Sequence, residues 1–387
     1  MHILLVTRND PFSVVTGTEG FVKNLSLELA RLGHNVIIVS GTSARQNPLI
    51  KPSQLIERHG IRHYTFRYLA AFEFYLRCGN LLKKIVKDRE IDAIIGFAGS
   101  PLGNILGFFR GLPDRPPMFY FCIDCRATLY KMKWQTVSSG IRARMDIPLR
   151  SPMEIYFDKN SCLRTDLVIA SCKATAEDII SMYGVHPNKI RILYLGIPNN
   201  YAYGYKSNDP EVPIFIHIST DPERRGTAYF IKAVRILQDY GFNVRGVIVG
   251  RPGRYYVDLA KGLDIDFLSN IPLDELKRLY ASSTCHVSPS IADAFNFPVI
   301  ESACFGKPSI VSNIASLPEL VSDGLDGFVV PVADSKSLAD AMRKLLENPT
   351  LKAEMKKNAL VKSTRFTINK TALRLLDVVQ EFNRGIR

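Results

Sequence analysis

Ser288-Pro-Ser-Ile-Ala-Asp-Ala-Phe-Asn-Phe-Pro-Val-Ile-Glu-Ser-Ala-Cys-Phe-Gly306 reads as strand, loop and helix in immediate succession. The apolar run Cys285 to Pro289 is strand-sized. Pro298 suits the first turn of a helix, and Gly306 with Pro308 supplies its stop. The loop Ala294 to Phe297 then presents backbone N–H groups at a helix N-terminus, at the carboxyl end of a parallel strand, where phosphates bind. Asp293 lies in the loop and Glu301 about one turn inside the helix. A carboxylate repels phosphate, so the useful partners of both are hydroxyls. The stretch reads as a sugar nucleotide laid across a helix end: pyrophosphate on the amides of Ala294, Phe295, Asn296 and Phe297, ribose on Glu301, and the transferable sugar near Asp293.

Outward from this segment, strand-length apolar runs alternate with helix-period segments over nearly the whole chain, the pattern of parallel sheets built from βαβ units. Strands are expected at His2 to Thr7, Asn35 to Ser40, Asp92 to Phe97, Pro117 to Cys122, Asp166 to Ser171 and Lys189 to Tyr194. After the polar, turn-forming stretch Pro198 to Pro213 they resume at Ile214 to Ser219, Asn243 to Gly250, Asp264 to Leu268, Cys285 to Pro289 and Ser309 to Ser312. A length of 387 residues exceeds what one core usually serves. The expectation is an α/β chain of two doubly wound, Rossmann-like domains facing a cleft. They are residues 1–200 and 201–366, with 367–387 a last helix crossing back to the first.

Composition excludes several classes. With 46% hydrophobic and 22% charged residues the chain is an ordinary globular one, and its densest apolar runs are strand-sized. The N-terminus enters a strand without a signal pattern, so cytoplasmic folding is expected. Seven cysteines at Cys78, Cys122, Cys125, Cys162, Cys172, Cys285 and Cys304 form no disulfide framework, and Cys122 with Cys125 lacks a second metal-ligand pair. Of the net charge of +13, residues 1–200 carry +10 (26 Lys/Arg against 16 Asp/Glu) and the remainder +3. The basic half suggests an anionic neighbour.

The string around Pro289, Ser290, Phe295, Pro298, Glu301, Gly306 and Pro308, followed by Leu317-Pro-Glu-Leu320 and Asp323-Gly-Leu-Asp-Gly327, resembles the signature of the retaining GT-B glycosyltransferases of family GT4. The resemblance implies two facing Rossmann-like domains and a nucleotide-sugar donor on the second. Where the family has its first glutamate this chain has Asp293, and the flanking glycines are Ala294 and Asn296. The family's phosphate-binding Arg and Lys-Gly fall near Thr220 and Arg225-Gly226, with Arg224 beside them; an arginine keeps the charge and offers a fork to phosphate. Asp124 stands near the position of a histidine that touches the donor sugar. Gly17, in Thr16-Gly-Thr-Glu-Gly20, retains one of the family's glycine pair, Gly250-Arg251 matches a turn near the base, and Asn270 with Ile271 follows the next strand, where the base is held.

The resemblance implies sugar transfer with retention, catalysed through Asp293, Arg225 and Asp124. No metal and no cofactor are expected, the donor being a UDP- or GDP-linked substrate. The acceptor is expected to be a glycan, lipid-linked or small molecule. Basic and aromatic residues from Arg126 to Arg150 (with Tyr130 and Trp134) and from Tyr64 to Arg89 suit an anionic membrane surface, a peripheral contact, or equally a buried helix with a solvated basic face. A dinucleotide oxidoreductase would need Gly-x-Gly-x-x-Gly after a strand, which is absent. The altered motif positions leave a degenerate, non-catalytic binder as the rival, and no nucleic-acid reader motif accompanies the basic patches.

Overall fold

The structure, a computed structural model, describes residues 1–12, 17–43, 53–68, 71–97, 115–128, 130–131, 141–219 and 221–385. The chain divides into two compact units, one of residues 1–128, 145–198 and 368–387, the other of 129–144 and 199–367.

The first unit carries an eight-stranded sheet. Its strands are β1 (His2–Asn9), β2 (Asn35–Ser43), β3 (Ser53–Arg58), β4 (Ile61–Tyr68), β5 (Ala93–Phe97), β6 (Met118–Cys122), β7 (Leu167–Ala170) and β8 (Ile190–Ile192), in the order β3-β4-β2-β1-β5-β6-β7-β8. All neighbours run parallel except β3 and β4. Helices α1 (Gly17–Arg31), α2 (Ala71–Asp88), α3 (Ile141–Arg164, from Met145 onward) and α4 (Lys173–Tyr183) belong to it. Both faces of β1 are covered, so Ile3 to Val6 form a continuous apolar run rather than an alternation. In α1 the residues Phe21, Val22, Leu25 and Leu29 recur at helical spacing and are buried.

The second unit is a six-stranded, wholly parallel sheet of β9 (Ile214–Ser219), β10 (Arg245–Gly250), β11 (Ile265–Leu268), β12 (Cys285–Ser288), β13 (Ser309–Ser312) and β14 (Gly327–Val330), ordered β11-β10-β9-β12-β13-β14. Its helices are α5 (Thr227–Asp239), α6 (Arg254–Leu259), α7 (Leu273–Ser282), α8 (Phe297–Cys304), α9 (Leu317–Leu320), α10 (Ser335–Glu347) and α11 (Pro349–Ser363). With β9 counted first, this order is that of the dinucleotide-binding fold. Successive strands are laid down to one side of β9 and then, from β12, to the other. The last helix, α12 (Ile368–Asn383), groups with the first unit: the Ile368 amide donates to Ile197 O at 2.8 Å, and Phe382 packs edge-on to Phe119.

Of the two readings of Tyr64 to Arg89, the buried helix with a solvated basic face holds for Ala71–Asp88, where Phe74 is core and Lys84 and Lys87 are exposed, while Tyr64, Phe66 and Tyr68 lie on β4, with Phe66 and Tyr68 in the core. Arg126, whose side chain is 28% exposed, stands 3.5 Å from Asp124, and Asp124 with Asp158 and Glu154 holds its guanidinium above the ordinary value despite partial burial. Trp134 and Lys133 lie outside the described residues. Among the described residues no helix is long and apolar enough to cross a membrane.

Candidate functional site

In the second unit the chain leaves β9 toward one side of the sheet and leaves β12 toward the other. Their carboxyl ends therefore part to form the crevice in which open α/β sheets hold ligands. The loop after β9 delivers Arg224, Arg225 and Gly226, and the loop after β12 delivers Asp293 to Asn296. The two loops are fastened by the amides of Ile291 and Ala292, which donate to Arg224 O at 2.9 and 3.3 Å. Gly226 has φ +70°, and a Cβ there would sit 1.9 Å from the carbonyl oxygen of Pro289. Glycine is required so that the start of α5 can meet the end of β12.

Asp293 is the centre of this crevice. Its side chain is 1% exposed and accepts from Arg225, from Arg224 Nη1 at 3.3 Å, from Asn296 Nδ2 at 2.8 Å and from the Ala294 amide at 2.9 Å. Burial alone would raise its carboxyl, but Arg225 and Arg224 outweigh burial and hold it below its ordinary value. Burial in turn lowers the Arg225 guanidinium, against the pull of Asp293. The crevice therefore holds two guanidinium groups against one fully buried carboxylate. Asp221, 3.5 Å from Arg224 and 41% exposed, adds a weaker, solvent-screened charge.

Helix α8 opens one residue earlier than its proline suggests, with Asn296 as N-cap and Pro298 in the first turn. Asn296 does not cap with its side chain; its Nδ2 donates to Ser288 Oγ at 2.7 Å and to Asp293, so the helix end keeps its positive field toward the crevice. The Asn296 side chain is buried, and its Oδ1 has no hydrogen-bond partner. Inside α8, Glu301 accepts from the hydroxyl of the fully buried Tyr280 at 3.0 Å. Burial pushes its carboxyl up to about 7, while Tyr280, Tyr201 and Lys277 pull the other way.

The remaining expected residues distribute unequally. Gly250 closes β10 at φ +155°, where a Cβ would meet Ser219 O at 1.8 Å, so its glycine too is dictated by the approach of β9. Arg251 reaches across to Asn270, with Nη2 donating to Oδ1 at 2.7 Å, and Ile271 follows; these residues rim the carboxyl ends of β10 and β11. Gly17 and Asp124 belong to the first unit. Gly17 already lies in the first turn of α1 rather than in a loop before it, with φ +46°. Thr220 lies outside the described residues.

Three readings change in detail. The backbone N–H groups of Arg225 and Gly226 are spent on Asp221 O and Glu223 O, so these two residues offer an anion no amide, and Arg225 meets it through its guanidinium. Phe295 is a core residue, packed against Phe297 and Phe366, and can meet a ligand only through its backbone. The Ala294 amide turns to Asp293 Oδ1. Asp264 and Asp266 lie at the amino end of β11, on the far edge of the sheet, where Asp266 pairs with Arg245. Sequence reasoning missed Tyr280, Tyr201 and the two buried histidines under the crevice. His217 bonds Thr227 at 3.1 Å and burial takes it down to about 4; His286 is taken down to about 3. Cys122 closes β6 as a free thiol and lies with Asp158 and Cys162, their ligand atoms within 4.8 Å, but the Asp158 oxygens are occupied by the Tyr120 and Tyr183 hydroxyls and the Arg126 amide.

Two Rossmann-type units, the second with a cationic crevice at its switch point, define the chain as a GT-B protein. The family models described as "Glycosyl transferases group 1" and "Glycosyltransferase Family 4" match residues 206–362 and 15–201, together most of its length. The chain belongs to the GT4-type glycosyltransferases. It is 22% identical over 251 residues, 57% of the chain and 55% of the relative, to a D-inositol 3-phosphate glycosyltransferase of a Nocardioides species. It is 23% identical over 283 residues, 67% and 64%, to one of Saccharomonospora viridis. The chain thus spans between about half and two thirds of the length of these curated relatives. Among solved structures, a sucrose-phosphate synthase from Thermosynechococcus elongatus superposes with a TM-score of 0.79 at 17% identity, covering 100% of both chains. Anabaena HepE, solved with UDP and glucose, superposes with a TM-score of 0.73 at 16% identity, covering 98% of this chain and 100% of that one.

Proposed function

We propose that this chain transfers a sugar from a nucleotide sugar to an acceptor held by the first unit, with retention of anomeric configuration and without a divalent metal. The observation that carries the reading is the pairing of Arg224 and Arg225 beside the start of α8, both facing the switch-point crevice. The pyrophosphate lies against the two guanidinium groups and the helix end, which stabilise the charge that builds on the leaving diphosphate as the glycosidic bond breaks. That is the electrostatic task a divalent ion would otherwise perform.

Asp293 has two tasks in this scheme. It keeps the arginines oriented while the site is empty, and it accepts from a sugar hydroxyl when the diphosphate draws the arginines away. The unpartnered Oδ1 of Asn296 accepts a second hydroxyl, which supplies the partner that this buried oxygen lacks. Glu301 takes the ribose hydroxyls, and Arg251 with Asn270 and Ile271 borders the base. The UDP complex of HepE supports a UDP-linked donor, with GDP as the other candidate. Asp124 and Gly17 keep the donor-side roles that the family resemblance implies, and the acceptor oxygen attacks from the side on which the diphosphate departs.

The test is turnover of a panel of UDP-, GDP- and ADP-sugars, followed as hydrolysis or as transfer to added acceptors. The proposal expects nucleotide diphosphate release with at least one donor, abolished in Arg225→Ala. Donor binding with no release from any donor, with or without acceptor, would leave a binding protein and overturn it.

A further inference from the structure

The first unit has its own crevice at the carboxyl side of β1 and β6. It is a cavity of about 190 Å³ bordered by Arg8 at the end of β1, Glu19 in the first turn of α1, Tyr75 of α2, Arg126, and Glu154 and Phe157 of α3. Tyr120 and Asp158 close its floor.

Three features of this lining bear on what it takes. Among the described residues the charges do not favour an anion: the guanidinium groups of Arg8 and Arg126 stand against the carboxyls of Glu19 and Glu154 at the border, with Asp158, whose oxygens the Tyr120 and Tyr183 hydroxyls and the Arg126 amide already hold, buried in the floor. The Arg126 guanidinium is already committed, with Asp124 3.5 Å away and Asp158 and Glu154 adding to its hold. A phosphate monoester, carrying nearly two negative charges, would have to displace these acids or sit against them. A polyol has no such conflict, since its hydroxyls donate to carboxylates and accept from guanidinium. The third feature is apolar. Tyr75 and Phe157 form an edge-to-face pair with centroids 4.5 Å apart, both partly exposed, and an electron-rich aromatic face attracts the C–H face of a pyranose.

We infer that this cavity receives the acceptor as an unphosphorylated sugar unit, with its C–H face on Tyr75 and Phe157 and its hydroxyls between Glu154, Glu19 and Arg126. The inference rests on the transferase reading for the word acceptor. It departs from the phosphorylated inositol for which several relatives are named, and it accounts for the carboxyls that such a ligand would not tolerate.

The experiment is ligand-observed saturation-transfer NMR on the full chain without donor. The probes are methyl glycosides of glucose, galactose and mannose, and, separately, glucose 6-phosphate and inositol 1-phosphate. At least one methyl glycoside should receive saturation from the wild type, none should from Tyr75→Ala, and the two phosphates should bind the wild type measurably more weakly than that glycoside. The double variant Glu19→Gln/Glu154→Gln should bind glucose 6-phosphate about tenfold more tightly than the wild type does. Such a gain cannot arise from misfolding. Binding of the phosphates but not the glycosides by the wild type, silence of every glycoside, or no gain in the double variant would overturn the inference. A parallel titration with UDP reads the second unit. Glycoside binding without UDP binding would sink the donor assignment and leave this cavity standing, and the converse would sink the cavity alone.

Discussion

Replacing Asp293 by Asn removes one charge and almost no volume from the centre of the second unit. The carboxylate is 1% exposed, and its two cationic partners are 12% (Arg225) and 19% (Arg224) exposed. Breaking a buried ion pair by deleting one partner costs about 3–5 kcal/mol, because the other charge is left without compensation. Two features reduce this: the arginines retain some solvent, and Asp221 stays 3.5 Å from Arg224. We expect a loss of about 2–3 kcal/mol, which for a unit of this size lowers the unfolding midpoint by roughly 4–12 °C. The same substitution removes the buried counter-ion of both guanidinium groups, leaving only the solvent-screened Asp221 near Arg224, and so readies them for phosphate. Thermal unfolding with saturating UDP should therefore show a larger ligand-induced rise in the Asp293→Asn variant than in the wild type, while the extra rise given by a UDP-sugar over UDP should disappear. An unchanged midpoint without ligand, or a smaller rise with UDP, would refute the assignment of Asp293 as the counter-ion of the arginines and a partner of the sugar.

Glu301 supplies a prediction in pH. Its carboxyl is raised to about 7 in the folded chain, so the folded state holds a proton that the unfolded chain releases near its ordinary value. The associated stability is fully present below the unfolded value and is lost as pH rises from there through about 7, by roughly 3 kcal/mol. The buried His217 and His286 act oppositely: their folded values are depressed, so their stability is present above the unfolded histidine value and lost as pH falls toward about 4 and about 3. Denaturant unfolding of Glu301→Gln should be flatter than wild type between pH 6.5 and 8 and should fall at least as steeply below pH 6; equal slopes from pH 6.5 to 8 would contradict the raised carboxyl. Gly226→Ala places a Cβ 1.9 Å from Pro289 O at φ +70° and should destabilise by at least about 2 kcal/mol while weakening nucleotide binding, so a variant of wild-type melting point would mean that the two loops do not meet as described.

The segment from β12 to α8 was legible because its punctuation is local: Pro298 can only open a helix, and Gly306, at φ +66°, can only follow one. Most strands of both sheets were legible for a similar reason, since strands covered on both faces appear as unbroken apolar runs; β14, only four residues long, was not among those expected. The β3–β4 hairpin was not legible. Glu57 and Arg58 of β3 lie exposed at a sheet edge without alternation, and the turn rests on His59 and Gly60 at φ 50° and 75°, where no Asn-Gly signal advertises it. In the site, the resemblance singled out Arg224, Arg225 and Asp293 separately. Their pairing spans 68 and 69 residues of sequence and became visible only when β9 and β12 were set side by side. Tyr280 and Tyr201 escaped for the same reason. Nothing local to a tyrosine in α7 announces that it will hold a glutamate of α8.

The central claim is that the β9–β12 crevice binds a nucleotide diphosphate through Arg225. Isothermal titration of UDP and GDP into wild type and Arg225→Ala, in the absence of any divalent metal, tests it most directly. The account predicts saturable binding of at least one nucleotide to the wild type, weakened about 30-fold or more in Arg225→Ala, as the loss of a charge-assisted contact worth about 2 kcal/mol requires. Equal affinities in the two proteins, or no heat from either nucleotide with the wild type, would contradict it.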